Sequence, residues 1–282
     1  MTPRVKVPPM RARKRFAQHF LEPAWVAKVV KAVDARPEDN VLEIGPGRAA
    51  ITRPLAEHCG RLLAVEIDRD LAAALEATRP ANVTVIVDDV LEVDLAAALS
   101  GWLGEPIGPA NQVRVVGNLP YNISSPILFS LLELSAATGG LRDAILMLQK
   151  EVADRLVARV GTGDYGVLTV LTGVHADVTR LLSLPPGAFR PAPQVHSAVV
   201  RLAFRPPAAD IPDMAGFVRM VRSMFTQRRK TLSNALKPFG TERSVVPGDA
   251  LAAAGVDGRR RPETLEMAEL AALFRAFLVA GS

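Results

Sequence analysis

The stretch Val115–Phe129, "VVGNLPYNISSPILF", decides how the rest of the chain is read. Val113, Val115 and Val116 form an apolar, β-branched run of the kind found in a buried parallel strand. Pro120 ends that strand, because it has no N–H to give a sheet ladder. Beyond it, "ISSPILFSLLELS" reads as a helix. Asn118 and Tyr121 are therefore expected just past the carboxyl end of a strand that feeds a helix. In open α/β folds that edge is where ligands bind.

Similar units lie on either side. From Asn40 onward, "VLEIG" leads to a helix through "AAITRPLAEHC", "RLLAVEID" to "RDLAAALEAT", and "VTVIVDDV" to "LAAALSGWL". After the central unit, "DAILMLQK" leads to "EVADRLVARV". Strand–helix units in succession predict a parallel sheet with helices on both faces. "DVTRLLSL" and "HSAVVRLAF" have no helix between them and predict an antiparallel pair at one sheet edge. Past "RPPAADIPD", residues Phe217, Met220, Val221, Met224 and Phe225 recur at helical spacing, as do Leu232, Ala235, Leu236 and Phe239. A small all-helical unit is expected from about Ile211 onward.

The composition of the 282 residues, 49% apolar and 22% charged, is that of a globular chain. No apolar run is long enough to span a bilayer, and the basic start "MTPRVKVPPMRARKRF" lacks the apolar core of a secretory signal. The single cysteine, Cys59, excludes an internal disulfide and fits the reducing cytoplasm. The four histidines lack metal-ligand spacing, so no metal is expected. The net charge of +5 is unevenly placed. Arg4, Lys6, Arg11, Arg13, Lys14 and Arg15 have no acid among them, and the stretch from Phe217 to Lys237 has none either. Arg259, Arg260 and Arg261 form a third cluster. Such concentration at the two ends favours a nucleic-acid footprint over evenly solvated charge. Arg228, Arg229 and Lys230 are expected on a turn or helix start, available to phosphates.

Three successive strand ends carry ligand-binding chemistry. Gly45 and Gly47 allow a tight turn into a helix N-terminus; with Ala50 they also fit the G-x-G-x-x-A turn of dinucleotide sites. Glu66 lies twenty-one residues after Gly45, where a carboxylate accepts from ribose hydroxyls, while Asp68 is expected to cap the next helix. Asp88 and Asp89 end the third strand and offer an acceptor for an adenine amino group. The set describes a pocket for an adenosine-containing cofactor, and both a nicotinamide dinucleotide and S-adenosylmethionine (SAM) satisfy it.

Asn118-Leu119-Pro120-Tyr121 separates the two. The exocyclic amine of adenine is a poor nucleophile because its lone pair is delocalised into the ring. Two acceptors aimed at its hydrogens, the Asn118 side-chain oxygen and the Leu119 carbonyl, draw the nitrogen toward tetrahedral geometry. Its lone pair then points at a methyl group held for in-line displacement, with positioning as the main source of acceleration. Tyr121 would stack on the base. A sulfonium methyl needs no metal and no covalent nucleophile.

On these residues the chain resembles the ribosomal RNA adenine N6-dimethyltransferases, in particular the branch acting on small-subunit rRNA. The blocks that carry the resemblance include "QHFL" at Gln18–Leu21, "LEIGPG" at Leu42–Gly47, "VEID" at Val65–Asp68, "DDVL" at Asp88–Leu91 and "GNLPYNISSPIL" at Gly117–Leu128. Further on come "QKEVADRLVA", "YGVLTVL", "FRPAPQVHSAVVRL" and "RRKTLSNAL". The resemblance implies a Rossmann-like α/β SAM-dependent methyltransferase sheet followed by a small all-α domain. It divides the chain into a basic segment with the first helix (1–39), a SAM-binding domain (40–210) and a helical RNA-binding domain (211–282). It implies that His19 and Leu21 close over the cofactor, that Gly45, Gly47, Glu66, Asp89 and Asn118 bind it, and that Phe189 faces the target base opposite Tyr121. Read without the family, Phe189 is a core residue between two strands.

The implied reaction is dimethylation of two adjacent adenosines near the 3′ end of small-subunit rRNA, by a cytoplasmic monomer acting on an immature subunit. The related large-subunit resistance methylases usually carry isoleucine or phenylalanine in place of Leu119 and lack "RRKTLSNAL". A non-catalytic assembly or RNA-binding factor would not need Asn118 and Tyr121 intact. Ala17, Arg48 and Ala49 depart from the family's usual Gly, Leu and Gly, and an alanine does not readily take positive φ. A shifted glycine loop is therefore expected.

Overall fold

The computed structural model describes residues 19–281, so the basic N-terminal cluster, Ala17 and Gln18 lie outside the described residues. Chain order begins with β1 (Phe20–Leu21), α1 (Pro23–Val33), β2 (Asn40–Ile44), α2 (Thr52–Ala56), β3 (Arg61–Glu66), α3 (Arg69–Glu76) and β4 (Val83–Val87). It continues with α4 (Leu95–Leu103), β5 (Val113–Asn118), α5 (Ser124–Thr138), β6 (Leu141–Gln149), α6 (Lys150–Leu156) and α7 (Val167–His175). Then follow β7 (Ala176–Leu184), β8 (Phe189–Arg190) and β9 (Ser197–Phe204). From Met214 the described elements are helical: α8 (Met214–Thr226), α9 (Leu232–Ala235), α10 (Lys237–Arg243), α11 (Pro247–Ala253) and α12 (Met267–Ala280). No helix among them is long and apolar enough to cross a membrane.

The main sheet has seven strands in the order β4-β3-β2-β5-β6-β9-β7. The five strand–helix units supply its parallel part, β4 to β6. The expected antiparallel pair sits at the edge, with β9 inserted between β6 and β7. Strand order reverses between β2 and β5, which opens a crevice at their carboxyl ends. Two differences from the sequence reading concern helices. The helix after β2 is only five residues long, because Ala49 has a φ of +58° and Ile51 is the N-cap. An additional helix, α7, precedes β7.

Three apolar clusters hold these layers together. One face of the sheet packs Leu42, Val115 and Leu146 with α5 residues Ile127, Leu128 and Leu131. The other packs Val41, Leu62 and Val116 with Val29 and Val33 of α1. The third joins Phe217, Met220 and Met224 of α8 to Phe274 and Phe277 of α12, and it includes Val170, Leu171 and Val174 of α7. The helical region thus shares its core with the helix entering β7.

One charged residue sits within the buried strand β5. Arg114 is 4% exposed, and its guanidinium grips Asp143 with Nε at 2.8 Å and Nη2 at 2.9 Å. Its Nη1 reaches Asp39 at 3.0 Å and the Asp34 carbonyl at 3.0 Å. Arg142 and Arg201 supply further charge to Asp39 and Asp143. Two buried carboxylates thus compensate a cation that would otherwise be too costly to bury.

Candidate active site

The crevice at the β2/β5 reversal holds a cavity of about 280 Å³. Its wall contains His19, Leu21, Gly45, Gly47, Glu66, Asp89, Asn118, Leu119, Pro120 and Tyr121, all singled out in the sequence. The fold gathers them because Gly45, Gly47, Glu66, Asp89 and Asn118 to Tyr121 end or follow strands on the same sheet edge, while His19 and Leu21 come to it on the separate β1–β8 pair.

The glycine turn keeps its left-handed shape, with φ of +67° at Gly45 and +57° at Gly47. A Cβ on Gly47 would lie 3.4 Å from the Phe20 ring, so this position also admits the strap formed by residues 19–21. Ala49 likewise takes positive φ. Its buried methyl accepts a conformation that costs about 1–2 kcal/mol. Arg48 lies over the Phe20 ring at 4.0 Å from its centroid and so ties the turn to the strap.

Glu66 ends β3 as its last residue, 4% exposed. Its Oε1 accepts from the Asp68 N–H and its Oε2 from the Gly47 N–H, both at 2.9 Å. Burial pushes its carboxyl up, against the pull of those N–H groups. Asp68 caps α3, with Oδ1 3.0 Å from the Asp70 nitrogen. On the next strand end, Asp88 is exposed while Asp89 is half-buried in the cavity wall. Asp89 Oδ1 accepts from the Leu91 N–H at 3.0 Å.

The Asn118 side chain donates from Nδ2 to the His19 carbonyl at 2.9 Å. That bond fixes the orientation of the amide, leaving Oδ1 as its acceptor end. Tyr121 stacks on the His19 ring, with centroids 5.6 Å apart and planes at 24°. Its hydroxyl pairs with Ser197 Oγ at 2.7 Å, and burial pushes its pKa up. His19 Nδ1 lies 2.8 Å from the Pro191 carbonyl. The strap is further held by pairing of β1 with β8, which aligns Phe20 with Arg190 and Leu21 with Phe189.

Four expected substrate residues, Phe189, Arg228, Arg229 and Lys230, lie outside the cavity wall. Phe189 was expected to face the target base. Instead it is 1% exposed and belongs to the second apolar cluster, so the core reading describes its position. Arg228, Arg229 and Lys230 lie on the turn after α8, as expected, but not together in role. The Arg228 guanidinium donates to the Gly163 carbonyl and, at 3.1 Å, to the Thr162 carbonyl. It therefore braces the loop before α7. Arg229 and Lys230 are exposed.

Sequence reasoning gave no role to Glu43, Phe20 or Ser197. Glu43 stands within the quoted "LEIGPG" block, and its wall position was open to inspection there. Ser197 had no local signal; strand pairing brings it to Tyr121. Among the described residues no group of three or more His, Cys, Asp or Glu side chains could hold a metal ion. Burial pushes the Cys59 thiol up to about 11, which keeps it protonated and unreactive.

A family model described as ribosomal RNA adenine dimethylase matches residues 10–274. The ribosomal RNA small subunit methyltransferase A of Geobacter metallireducens is 44% identical over 279 residues, covering 96% of this chain and 98% of the relative. A dimethyladenosine transferase from Plasmodium falciparum shares the fold, with a TM-score of 0.74 and 23% identity over 93% of this chain and 98% of that one. The 23S rRNA methyltransferase ErmE superposes with a TM-score of 0.63 and 26% identity, over 92% of this chain and 99% of that one. The match along most of the length, on a sheet whose crevice carries the glycine turn and the Asn118 motif, places this chain in the ribosomal RNA adenine dimethylase family.

Proposed function

We propose that this protein transfers methyl groups from SAM to N6 of two adjacent adenosines near the 3′ end of small-subunit rRNA, giving dimethyladenosine. The observation that carries the reading is the fixed Asn118 amide, in a cavity also walled by Tyr121, Glu66 and Asp89. The residues fit the cofactor: Glu66 is a buried acid at the ribose distance from the glycine turn, and Asp89 keeps one carboxylate oxygen beyond its bond to Leu91. When bound, SAM supplies a methyl group on a good leaving group.

The chain's own residues do the rest. Glu66 accepts from the ribose hydroxyls, Asp89 from the adenine amino group, and the strap residues His19 and Leu21 exclude water. Tyr121 presents its ring to the target base, which must displace or share the stack now made with His19. Asn118 Oδ1 and the Leu119 carbonyl accept from the target amine and hold its lone pair on the methyl. The amine proton leaves to solvent after transfer.

The helical region from Ile211 is the RNA-binding domain, with Arg229 and Lys230 as phosphate contacts and Arg228 as the residue that positions their turn. Leu119, the "RRKTLSNAL" segment and the 44% identity to a small-subunit enzyme favour this target over the large-subunit alternative. The protein acts in the cytoplasm, as a monomer, on an immature subunit. Incubation with labelled SAM and immature small subunits, followed by mapping of modified bases, tests the reading. Label at paired adenosines near the 3′ end is expected; label confined to large-subunit rRNA, or none, would refute it.

A further inference from the structure

Glu43 lies in β2, one residue before its end, and it belongs to the cavity wall while only 3% exposed. Its Oε2 is buried and makes no hydrogen bond to the protein. The Thr52 hydroxyl on α2 is close enough to favour the anion. Yet Thr52 Oγ1 is itself buried without a hydrogen-bond partner. The charged group acting on Glu43 from the neighbouring strand is Glu66, another acid, and Glu43 in turn acts on the Cys59 thiol beyond α2. The rest of the cavity wall carries His19, Arg48, Asp88, Asp89 and the Tyr121 phenol as its charged or titratable groups. Glu43, a residue of the cavity wall, thus keeps a buried carboxyl oxygen without a hydrogen-bond partner, and the charged group that acts on it is an acid and not a base.

Such an arrangement is costly unless the carboxyl is neutral or a ligand brings a positive charge. We infer that Glu43 is a proton-linked cation acceptor: it holds a proton before ligand binding and releases it to solvent when a cationic cofactor enters. This rests on the reading of the cavity as a SAM site. Burial, with Glu66 adding repulsion, pushes the Glu43 carboxyl up to about 7, which puts the exchange in the working range. SAM carries two candidate cations, the sulfonium and the α-ammonium. Its demethylated thioether product keeps only the ammonium, and methylthioadenosine has neither.

The test is titration calorimetry of the full chain with each of the three ligands, in buffers of different ionisation enthalpy, between pH 6 and pH 8. With a carboxyl near 7, roughly half a proton should be released per SAM at pH 7, and affinity should rise about tenfold from pH 6 to pH 8. Release with SAM and the thioether product assigns the ammonium as the partner; release with SAM alone assigns the sulfonium. Methylthioadenosine should release none. Glu43→Gln, nearly isosteric, should bind SAM without proton release.

SAM binding with no release, release equal to SAM's with methylthioadenosine, or release that survives in Glu43→Gln and disappears in Glu66→Gln would each overturn the inference while leaving the cofactor reading intact. Failure of the wild-type chain to bind SAM at all would overturn both. If Glu43→Gln does not fold, the wild-type buffer series and pH dependence still decide the matter.

Discussion

The side-chain amide of Asn118 and the backbone carbonyl of His19 meet at 2.9 Å across ninety-nine positions of sequence. One bond therefore joins the strand end that would activate the target amine to the strap that covers the cavity. The donor half of the amide serves the strap, and the acceptor half remains for chemistry.

Asn118→Ala should lower methyl transfer by at least about a hundredfold, the scale seen when one oriented polar group is removed from a reacting centre. SAM affinity should fall less, since only one strap contact is lost with it. Single-turnover rates with labelled SAM, set beside calorimetric affinities, measure the two effects separately. Near-normal turnover would remove Asn118 from the mechanism.

Glu66→Ala should weaken SAM binding by roughly 1.5–3 kcal/mol, the range for hydrogen bonds to a charged acceptor. The change also frees the Gly47 N–H, so part of the loss comes from a looser glycine turn. Calorimetry on the variant checks it. Unchanged affinity would take the ribose role away from Glu66.

Tyr121→Phe keeps the ring and loses the bond to Ser197, which is itself 1% exposed. A stability loss of about 1 kcal/mol in urea is expected, with methyl transfer within a few-fold of wild type. Tyr121→Ala should abolish most transfer, because base–aromatic stacking contributes about 1–3 kcal/mol. Equal activity of the two variants would argue that the ring does not meet the base.

Arg229 and Lys230 together replaced by alanine should lower the slope of log affinity against log salt by about 1.8 for a duplex target, from two lost phosphate contacts. Arg228→Ala should instead loosen the loop at Thr162 and Gly163, seen as faster amide exchange there. Filter binding across salt concentrations and hydrogen-exchange mass spectrometry separate the two. A wild-type salt slope in the double variant would mean these charges are only solvated.

Stability should carry the mark of Glu43. The folded carboxyl sits near 7 and the unfolded one near its ordinary value of 4.5, so the folded state binds the extra proton between those values. Stability from this group is complete below about pH 4.5 and is lost as pH rises through 7. Glu43→Gln should therefore raise stability at pH 5 by less than about 1 kcal/mol. At pH 8 it should raise stability by up to about 3 kcal/mol. Urea melts at the two pH values check it; an equal shift at both would place the effect in packing and not in charge.

Strand–helix alternation, the glycine turn and the division of labour between Glu66 and Asp68 could be read from the chain alone. They depend on periodicity, turn chemistry and helix capping, which act within a few residues of each other. The Asn118 motif belonged to that set, since a strand, a proline stop and an aromatic are neighbours in sequence. Tertiary structure decided what depends on distant partners. Arg114 is buried because Asp143 and Asp39 come to it from other elements. Arg228 braces a loop sixty-six positions away, Phe189 enters the core through its pairing with Leu21, and one carboxyl oxygen of Glu43 is buried without a hydrogen-bond partner. A side chain's burial and its bonds are set by neighbours from other strands and helices, and local sequence patterns carry little record of which ones arrive.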